Sequence, residues 1–417
     1  MNTCPIALSS KQRPNALAIL STAEKLTYSE LEILVQRLCG SLKDYEEQVI
    51  AFIPSQTPET IALFFAIWRM GKVAYPMSPS LPAAIVEQRL HQLGAKRVTP
   101  TLGTPLATSH LDPKKLALMI ETSGTTTTPK IVCHILESLL LGSFAAATAL
   151  SLTEEDRYCL NLPLFHISGI ATILRTVTAG ATLLLDHSFP ATHISMVPTQ
   201  LYRLLNQKNP LPELKCLLLG GGPCSPTLFN EAIERGLPLY TTYGMSETGA
   251  MATLKEPHIP GLHAGKPLSP LSLKLSHEKE ILLRGPTLFS HYWGETPRKK
   301  DEWFATRDLG SLDAMLNLHI IGRKDRQFIS GGENIQPEEI ESALLGLGPV
   351  IEARVTPRPD REFGMLPTAE LYCSEKIRLE EIQERLRESL PSFKIPKEIT
   401  ISDAPLGKTK AIAGHRE

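Results

Sequence analysis

Short apolar runs bounded by turn residues alternate with helix-period segments through the first three quarters of the chain, and this alternation constrains the fold more than any other feature. Gln48-Val-Ile-Ala-Phe-Ile-Pro54 reads as a buried strand and Glu59 to Met70 as a helix stopped by Gly71. Before them, Tyr28 to Leu42 carries apolar residues at helical spacing, with Thr27 as its N-cap. Ala181-Thr-Leu-Leu-Leu-Asp186 and Lys215-Cys-Leu-Leu-Leu-Gly220 repeat the strand pattern. Such alternation predicts a layered α/β architecture with largely parallel sheets. The glycines after the last run, Gly221 among them, suit the close approach of a ligand to a strand end.

From Leu268 to Arg284 the pattern changes to shorter alternating strands. Beyond a charged, turn-rich stretch at Gly322 to Arg326, a strand at Val350 to Val355 and an amphipathic helix from about Leu379 to Leu390 predict a smaller α+β unit. The expected division is a large body over 1–322 and a mobile cap over 323–417, with a hinge near Asp325. A length of 417 residues agrees with two or more domains.

Composition narrows the partners. Forty-three Lys plus Arg against forty-four Asp plus Glu leave a formal charge of -1, so no global field favours nucleic acid or an anionic membrane. The most apolar stretch, Leu139 to Leu152, is shorter than the roughly 20 residues of a membrane-spanning helix and reads as a buried helix. Seven scattered cysteines without a C-x-x-C pair suit reduced thiols, and the N-terminus shows no secretory pattern. A cytoplasmic location is expected, and the oligomeric state, including a homo-oligomer, stays open.

Four segments carry the chemistry: Thr122-Ser-Gly-Thr-Thr-Thr-Thr-Pro-Lys130, Tyr243-Gly-Met-Ser-Glu-Thr248, Trp303-Phe-Ala-Thr-Arg-Asp-Leu-Gly310, and Gly322-Arg-Lys-Asp with Gly331-Gly-Glu-Asn-Ile-Gln-Pro-Glu-Glu-Ile-Glu341. The first follows the strand candidate Leu116 to Glu121 and reads as a strand-to-helix turn whose amides and hydroxyls hold phosphate oxygens. It is not a Walker loop, because Pro129 replaces the second glycine and Ile131 the magnesium-binding hydroxyl. Taken alone, a Thr-rich turn that only caps a helix is the favoured reading, and the other segments reverse that preference.

In order and spacing these segments resemble the adenylate-forming superfamily of acyl-CoA ligases, luciferases and peptide-synthetase adenylation domains. The resemblance implies a large α/β body, a mobile cap, and activation of a carboxylic acid by ATP and Mg2+ before transfer to CoA. It implies that Thr122, Ser123, Gly124, Thr125, Thr126 and Lys130 hold the triphosphate, and that Tyr243 stacks on adenine beside Gly244. Ser246 would contact phosphate, Glu247 would bind magnesium, and Asp308 and Arg323 would hold the ribose hydroxyls. His166, in Leu160-Asn-Leu-Pro-Leu-Phe-His-Ile-Ser-Gly169, would line and gate the acyl pocket without acid–base work. Lys408 would reach the α-phosphate, with Lys410 the competing lysine. Three positions depart from the family pattern: Thr127 and Ile131 stand where it has glycine, and Arg307 where many relatives have glycine.

Within the superfamily the chain is similar to the o-succinylbenzoate-CoA ligases of menaquinone and phylloquinone synthesis. Val197-Pro-Thr-Gln-Leu-Tyr-Arg-Leu-Leu205, Leu217-Leu-Leu-Gly-Gly-Gly222, Ala305-Thr-Arg-Asp308 and Ser330-Gly-Gly-Glu-Asn-Ile-Gln-Pro337 carry that likeness. Their substrate has two carboxylates, and the resemblance implies Arg175 and Ser168 as partners of the benzoate group. The other reading of Arg175 places it on the outer face of its helix. A ligase for another aryl or aliphatic acid, an acyltransferase module serving a carrier protein, and a nucleotide-binding pseudoenzyme are the competing functions.

Overall fold

A computed structural model describes residues 3–122, 130–206 and 213–406. Ser123, Gly124, Thr125, Thr126, Thr127 and the lysines Lys408 and Lys410 lie outside the described residues.

Two large sheets dominate. The first has seven strands in the spatial order Leu239–Thr241, Cys216–Leu219, His193–Met196, Arg157–Cys159, Thr182–Leu184, Leu17–Leu20 and Lys25–Thr27, parallel except for the last pair. The second has six, ordered His291–Tyr292, Ile131–Ile135, Leu116–Glu121, Val73–Pro76, Val49–Phe52 and Ala95–Arg97. Its last four strands are parallel, and the first two join antiparallel.

One hydrophobic core ties the sheets together. It takes Ile19 and Leu183 from the first sheet, Ile50, Phe52 and Leu118 from the second, and the apolar faces of helices Tyr28–Leu42, Pro58–Arg69 and Ile167–Ala179. The expected first helix appears from Tyr28 to Leu42: Thr27 accepts from the Glu30 N–H while Glu30 accepts from the Thr27 N–H, a reciprocal cap. In Pro58–Arg69 every residue but Glu59 is buried, as expected of a helix apolar on all sides. Its larger polar side chains find partners inside: the Trp68 indole donates to the Ala117 carbonyl (2.8 Å), and Arg69 Nη1 donates to Glu32 (2.8 Å), while Arg69 Nε is left without one.

Two expectations are corrected. The segment after Lys130 is a strand, Ile131–Ile135, paired with Leu116–Glu121 so that Glu121 faces Ile131. The hydroxyl-rich loop therefore joins two antiparallel strands and does not lead into a helix. The apolar stretch assigned from Leu139 to Leu152 forms the helix Leu136–Ala149, which is only partly buried, since Leu141 and Phe144 are 37% and 57% exposed. No helix among the described residues is long and apolar enough to cross a membrane.

C-terminal to Arg323 the chain builds a second core of its own. A hairpin (Phe328–Ser330, Glu333–Ile335), helices Pro337–Leu345 and Leu379–Ser389, and the sheet Val350–Asp360, Gly364–Cys373, Glu398–Ser402 enclose Ile335, Ile340, Leu344, Leu371, Ile382 and Leu386. The hairpin turns at Gly331 and Gly332, with φ of +57° and +89°, the region that turn chemistry reserves for glycine.

A buried carboxylate ties together the amino ends of two strands of the first sheet, standing just before Arg157–Cys159 and bonded to the residue before Cys216–Leu219. Asp156 Oδ2 accepts from the Thr153 N–H and hydroxyl (both 2.8 Å), and Oδ1 accepts from Lys215 Nζ (2.7 Å). Burial alone would raise its pKa, but these bonds outweigh it and hold the carboxyl at about 2 against the usual 3.8. Because the folded pKa lies below the unfolded one, the group stabilises the fold above the unfolded value and the contribution is lost as pH falls toward 2. Asp156→Asn should lower unfolding free energy at pH 7 by up to about 2 kcal/mol, with the difference from wild type vanishing as urea-unfolding measurements descend from pH 4 to pH 2.

Candidate active site

The site is assembled at the ends of strands. Cys216–Leu219 and Leu239–Thr241 are neighbouring parallel strands, so Gly221 and Tyr243, which follow them, emerge at the same sheet edge. Gly221 has φ +79°. Gly244 is required by space: a Cβ there would lie 1.8 Å from the Ala250 carbonyl oxygen. The loop doubles back at this point, and the Ala252 N–H donates to the Tyr243 carbonyl (2.8 Å).

Tyr243 connects this edge to the Asp308–Arg323 pair. Its hydroxyl donates to Asp308 Oδ2 (2.6 Å), while Arg323 Nη1 donates to Asp308 Oδ1 (3.2 Å). Asp308 and Arg323 face each other in the antiparallel pair Phe304–Leu312 and Leu318–Arg323, so backbone register sets their approach. Arg323 also bonds Asp325 through Nε and Nη2 (both 3.0 Å). Burial raises the Asp308 pKa, opposed by the Tyr243 hydroxyl and Arg323. Burial and then the Asp308 charge raise that of Tyr243, which keeps the phenol as the donor.

Ser246–Thr248 form one turn of 3₁₀ helix, with Glu247 buried. The Tyr292 hydroxyl donates to Glu247 Oε1 (2.7 Å), and the Phe289 N–H donates to the Glu247 carbonyl (2.8 Å). Lys130 Nζ stands 4.3 Å from the centroid of the same Tyr292 ring, which brings the end of the hydroxyl-rich loop to the Glu247 turn. Thr122 closes that loop, its N–H donating to the Lys130 carbonyl (2.9 Å). Among the described residues no group of three or more His, Cys, Asp or Glu side chains is arranged to hold a metal ion. A cation at Glu247 would take its other ligands from phosphate oxygens and water, which fits magnesium and does not fit a protein-caged metal.

The segment from Leu162 to Gly169 turns tightly into helix Ile167–Ala179, and a Cβ on Gly169 would lie 2.4 Å from the Pro163 carbonyl oxygen. His166 is the residue preceding that helix, with its ring 4.5 Å from that of Phe165. Ser168 sits on its first turn, and its carbonyl accepts from the Thr172 hydroxyl (3.0 Å). Arg175 is not on the outer face: it is 2% exposed. Its Nε donates to the Ala171 carbonyl (3.0 Å), and Nη1 lies 3.3 Å from Met251 Sδ and 3.5 Å from the Tyr158 hydroxyl, which is itself 2.7 Å from Ser195 Oγ. Among the described residues no carboxylate pairs with it. A buried guanidinium without a carboxylate is expensive unless an anion completes it.

Tyr292 was not found from the sequence. It lies in Ser290-His-Tyr-Trp-Gly294 and is separated from Glu247 by 45 residues, so only strand pairing brings them together. Arg307, the cation in place of glycine, has φ +63°, which gives that preference its physical reason; its side chain is exposed and its N–H donates to Glu280 Oε1 (3.0 Å).

An AMP-binding enzyme family model matches residues 7–107 and 98–293. A 2-succinylbenzoate–CoA ligase from Listeria monocytogenes is 30% identical, covering 93% of this chain and 92% of its own. Two structures of o-succinylbenzoate CoA synthetase from Bacillus subtilis, one with ATP and magnesium ion and one with its acyl-adenylate intermediate, each superpose with a TM-score of 0.87 at 26% identity. Each covers 96% of this chain; coverage of the neighbour is 96% for the ATP complex and 95% for the intermediate complex. The chain belongs to the AMP-binding enzyme family, and within it to the 2-succinylbenzoate–CoA ligases.

Two substitutions check the backbone argument. Gly244→Ala should destabilise the protein by several kcal/mol, or roughly 3, because the clash is with backbone and cannot be relieved by a rotamer change. Arg307→Gly should raise stability by about 1 kcal/mol by relieving the left-handed conformation. Chemical denaturation of both variants measures these differences.

Proposed function

We propose that this protein ligates o-succinylbenzoate to CoA through an acyl-adenylate, a step of menaquinone biosynthesis. The observation that carries the choice of acid is Arg175, buried and without a carboxylate partner among the described residues, on the helix that His166 and Ser168 begin. A substrate with two carboxylates needs one held while the other reacts. Arg175, with Ser168 as a further donor, pairs with the benzoate carboxylate and leaves the succinyl one free to react.

In the first half-reaction an oxygen of the succinyl carboxylate attacks the α-phosphorus of ATP, and the bond to pyrophosphate breaks. Thr122, Ser123, Gly124, Thr125, Thr126 and Lys130 hold the triphosphate, assisted by Ser246. Glu247 holds magnesium, which supplies neutralising charge to the phosphates. Asp308 accepts from the ribose hydroxyls with Arg323 beside it, Tyr243 stacks on adenine, and the backbone of Gly221 and Gly244 admits the nucleotide. Lys408 stabilises charge developing at the α-phosphate. In the second half-reaction the CoA thiol attacks the acyl carbonyl carbon and AMP leaves. His166 gates the pocket, and the cap from residue 323 turns near Asp325, withdrawing Lys408 and presenting Ser330-Gly331-Gly332 to the thiol.

The test is pyrophosphate release by purified protein with ATP, magnesium and o-succinylbenzoate, beside benzoate, succinate and a medium-chain fatty acid, with the thioester identified by mass spectrometry when CoA is added. Release is expected with o-succinylbenzoate, and Arg175→Gln should raise KM for that acid on the order of 100-fold with KM for ATP little changed. Turnover of another acid alone would overturn the substrate, and turnover of none would favour a nucleotide-binding protein without ligase activity.

A further inference from the structure

Beyond the residues that the motifs name, a buried side chain grips the acid loop from the neighbouring sheet. His134 lies on the strand Ile131–Ile135 and is fully buried, with Nε2 2.7 Å from the Ser246 carbonyl oxygen. A carbonyl only accepts, so Nε2 carries the proton. The other ring nitrogen, Nδ1, is buried and has no hydrogen-bond partner. The same carbonyl accepts from the Gly249 N–H (3.2 Å), the bond that closes the 3₁₀ turn. Ser246 is thus held once by its own turn and once by the sheet that also carries Lys130 and Tyr292.

The orphan nitrogen shows what the imidazole is for. An apolar side chain would fill this strand position with no unsatisfied atom, so packing gives no reason for histidine here. What histidine adds is one donor aimed at the backbone immediately before Glu247. The Glu247 carbonyl takes the Phe289 N–H and its carboxylate takes the Tyr292 hydroxyl, so the peptide before the carboxylate is fixed by His134 and the one after it by Phe289.

We propose that His134 is a positioning residue for Glu247: it sets where the carboxylate stands relative to Lys130 and thereby the affinity for magnesium-bound ATP. This rests on the reading of Glu247 as the magnesium carboxylate. The glutamine side chain can place an amide N–H where Nε2–H stands, whereas asparagine is one bond too short and leucine has no donor.

The experiment is equilibrium ATP binding to the full chain across a magnesium titration, with AMP as control because it lacks the β- and γ-phosphates. His134→Gln should keep the half-saturating magnesium concentration within about twofold of wild type, while His134→Asn and His134→Leu raise it on the order of tenfold and leave AMP affinity unchanged. His134→Leu should melt no lower than wild type, since it removes the orphan nitrogen, which a structural role would not allow. If that variant does not fold, the Gln and Asn pair decides. Equal magnesium dependence in Gln and Asn, or a parallel loss of AMP binding, would overturn the positioning role. Wild-type ATP binding that ignores magnesium would instead sink the reading of Glu247, and this proposal with it.

Discussion

Pairing of the strand Ile131–Ile135 on both its edges is the constraint on which the site depends. On one side lies Leu116–Glu121, joined to it through the hydroxyl-rich loop, and on the other His291–Tyr292 lies antiparallel, with Tyr292 facing Val132. That ladder fixes both ends of the loop, Thr122 and Lys130, and sets Tyr292 under the lysine. It also aims His134 at Ser246. A slip of one residue would turn the side chains of this strand, His134 among them, to the other face and take Tyr292 from Glu247, so register here is chemistry as well as folding.

The carboxylates of the candidate site are held by neutral donors as much as by cations. Glu247 and Asp308 each accept from a half-buried tyrosine, whose own proton is kept in place by desolvation and by the adjacent carboxylate. A phenol can orient a carboxylate without neutralising it. Asp156, outside the site, is instead held by a cation and a turn, through Lys215 and the Thr153 N–H and hydroxyl.

Local signals were legible in the sequence and pairings across the chain were not. Thr27 and Glu30 announce a helix start within four residues, and Gly71 ends the helix that its apolar run defines. Ile131-Val-Cys-His-Ile135 gave no such signal, because its first four residues are buried and no alternation distinguishes strand from helix. The acid loop, Asp308 and Arg323 were readable as motifs; Tyr292 and His134 were not, since each acts through a partner 45 or 112 residues away. Arg175 was named by resemblance, and only its burial removes the solvent-facing alternative. Arg307 was noticed as a departure, and its positive φ explains why the position favours glycine.

The connection at residues 323–326 is stitched to the helix that follows it. Gln336 Nε2 donates to the Arg323 carbonyl (3.0 Å), and Glu338 Oε1 accepts both from the Arg323 N–H (3.2 Å) and from Arg326 Nη1 (2.9 Å). Gln336 Oε1 is left buried and without a partner. The Gln336 and Glu338 bonds both end on the backbone groups of Arg323, so any change of backbone at Asp325 would have to break the two together, and the turn is held as a latch with a single release.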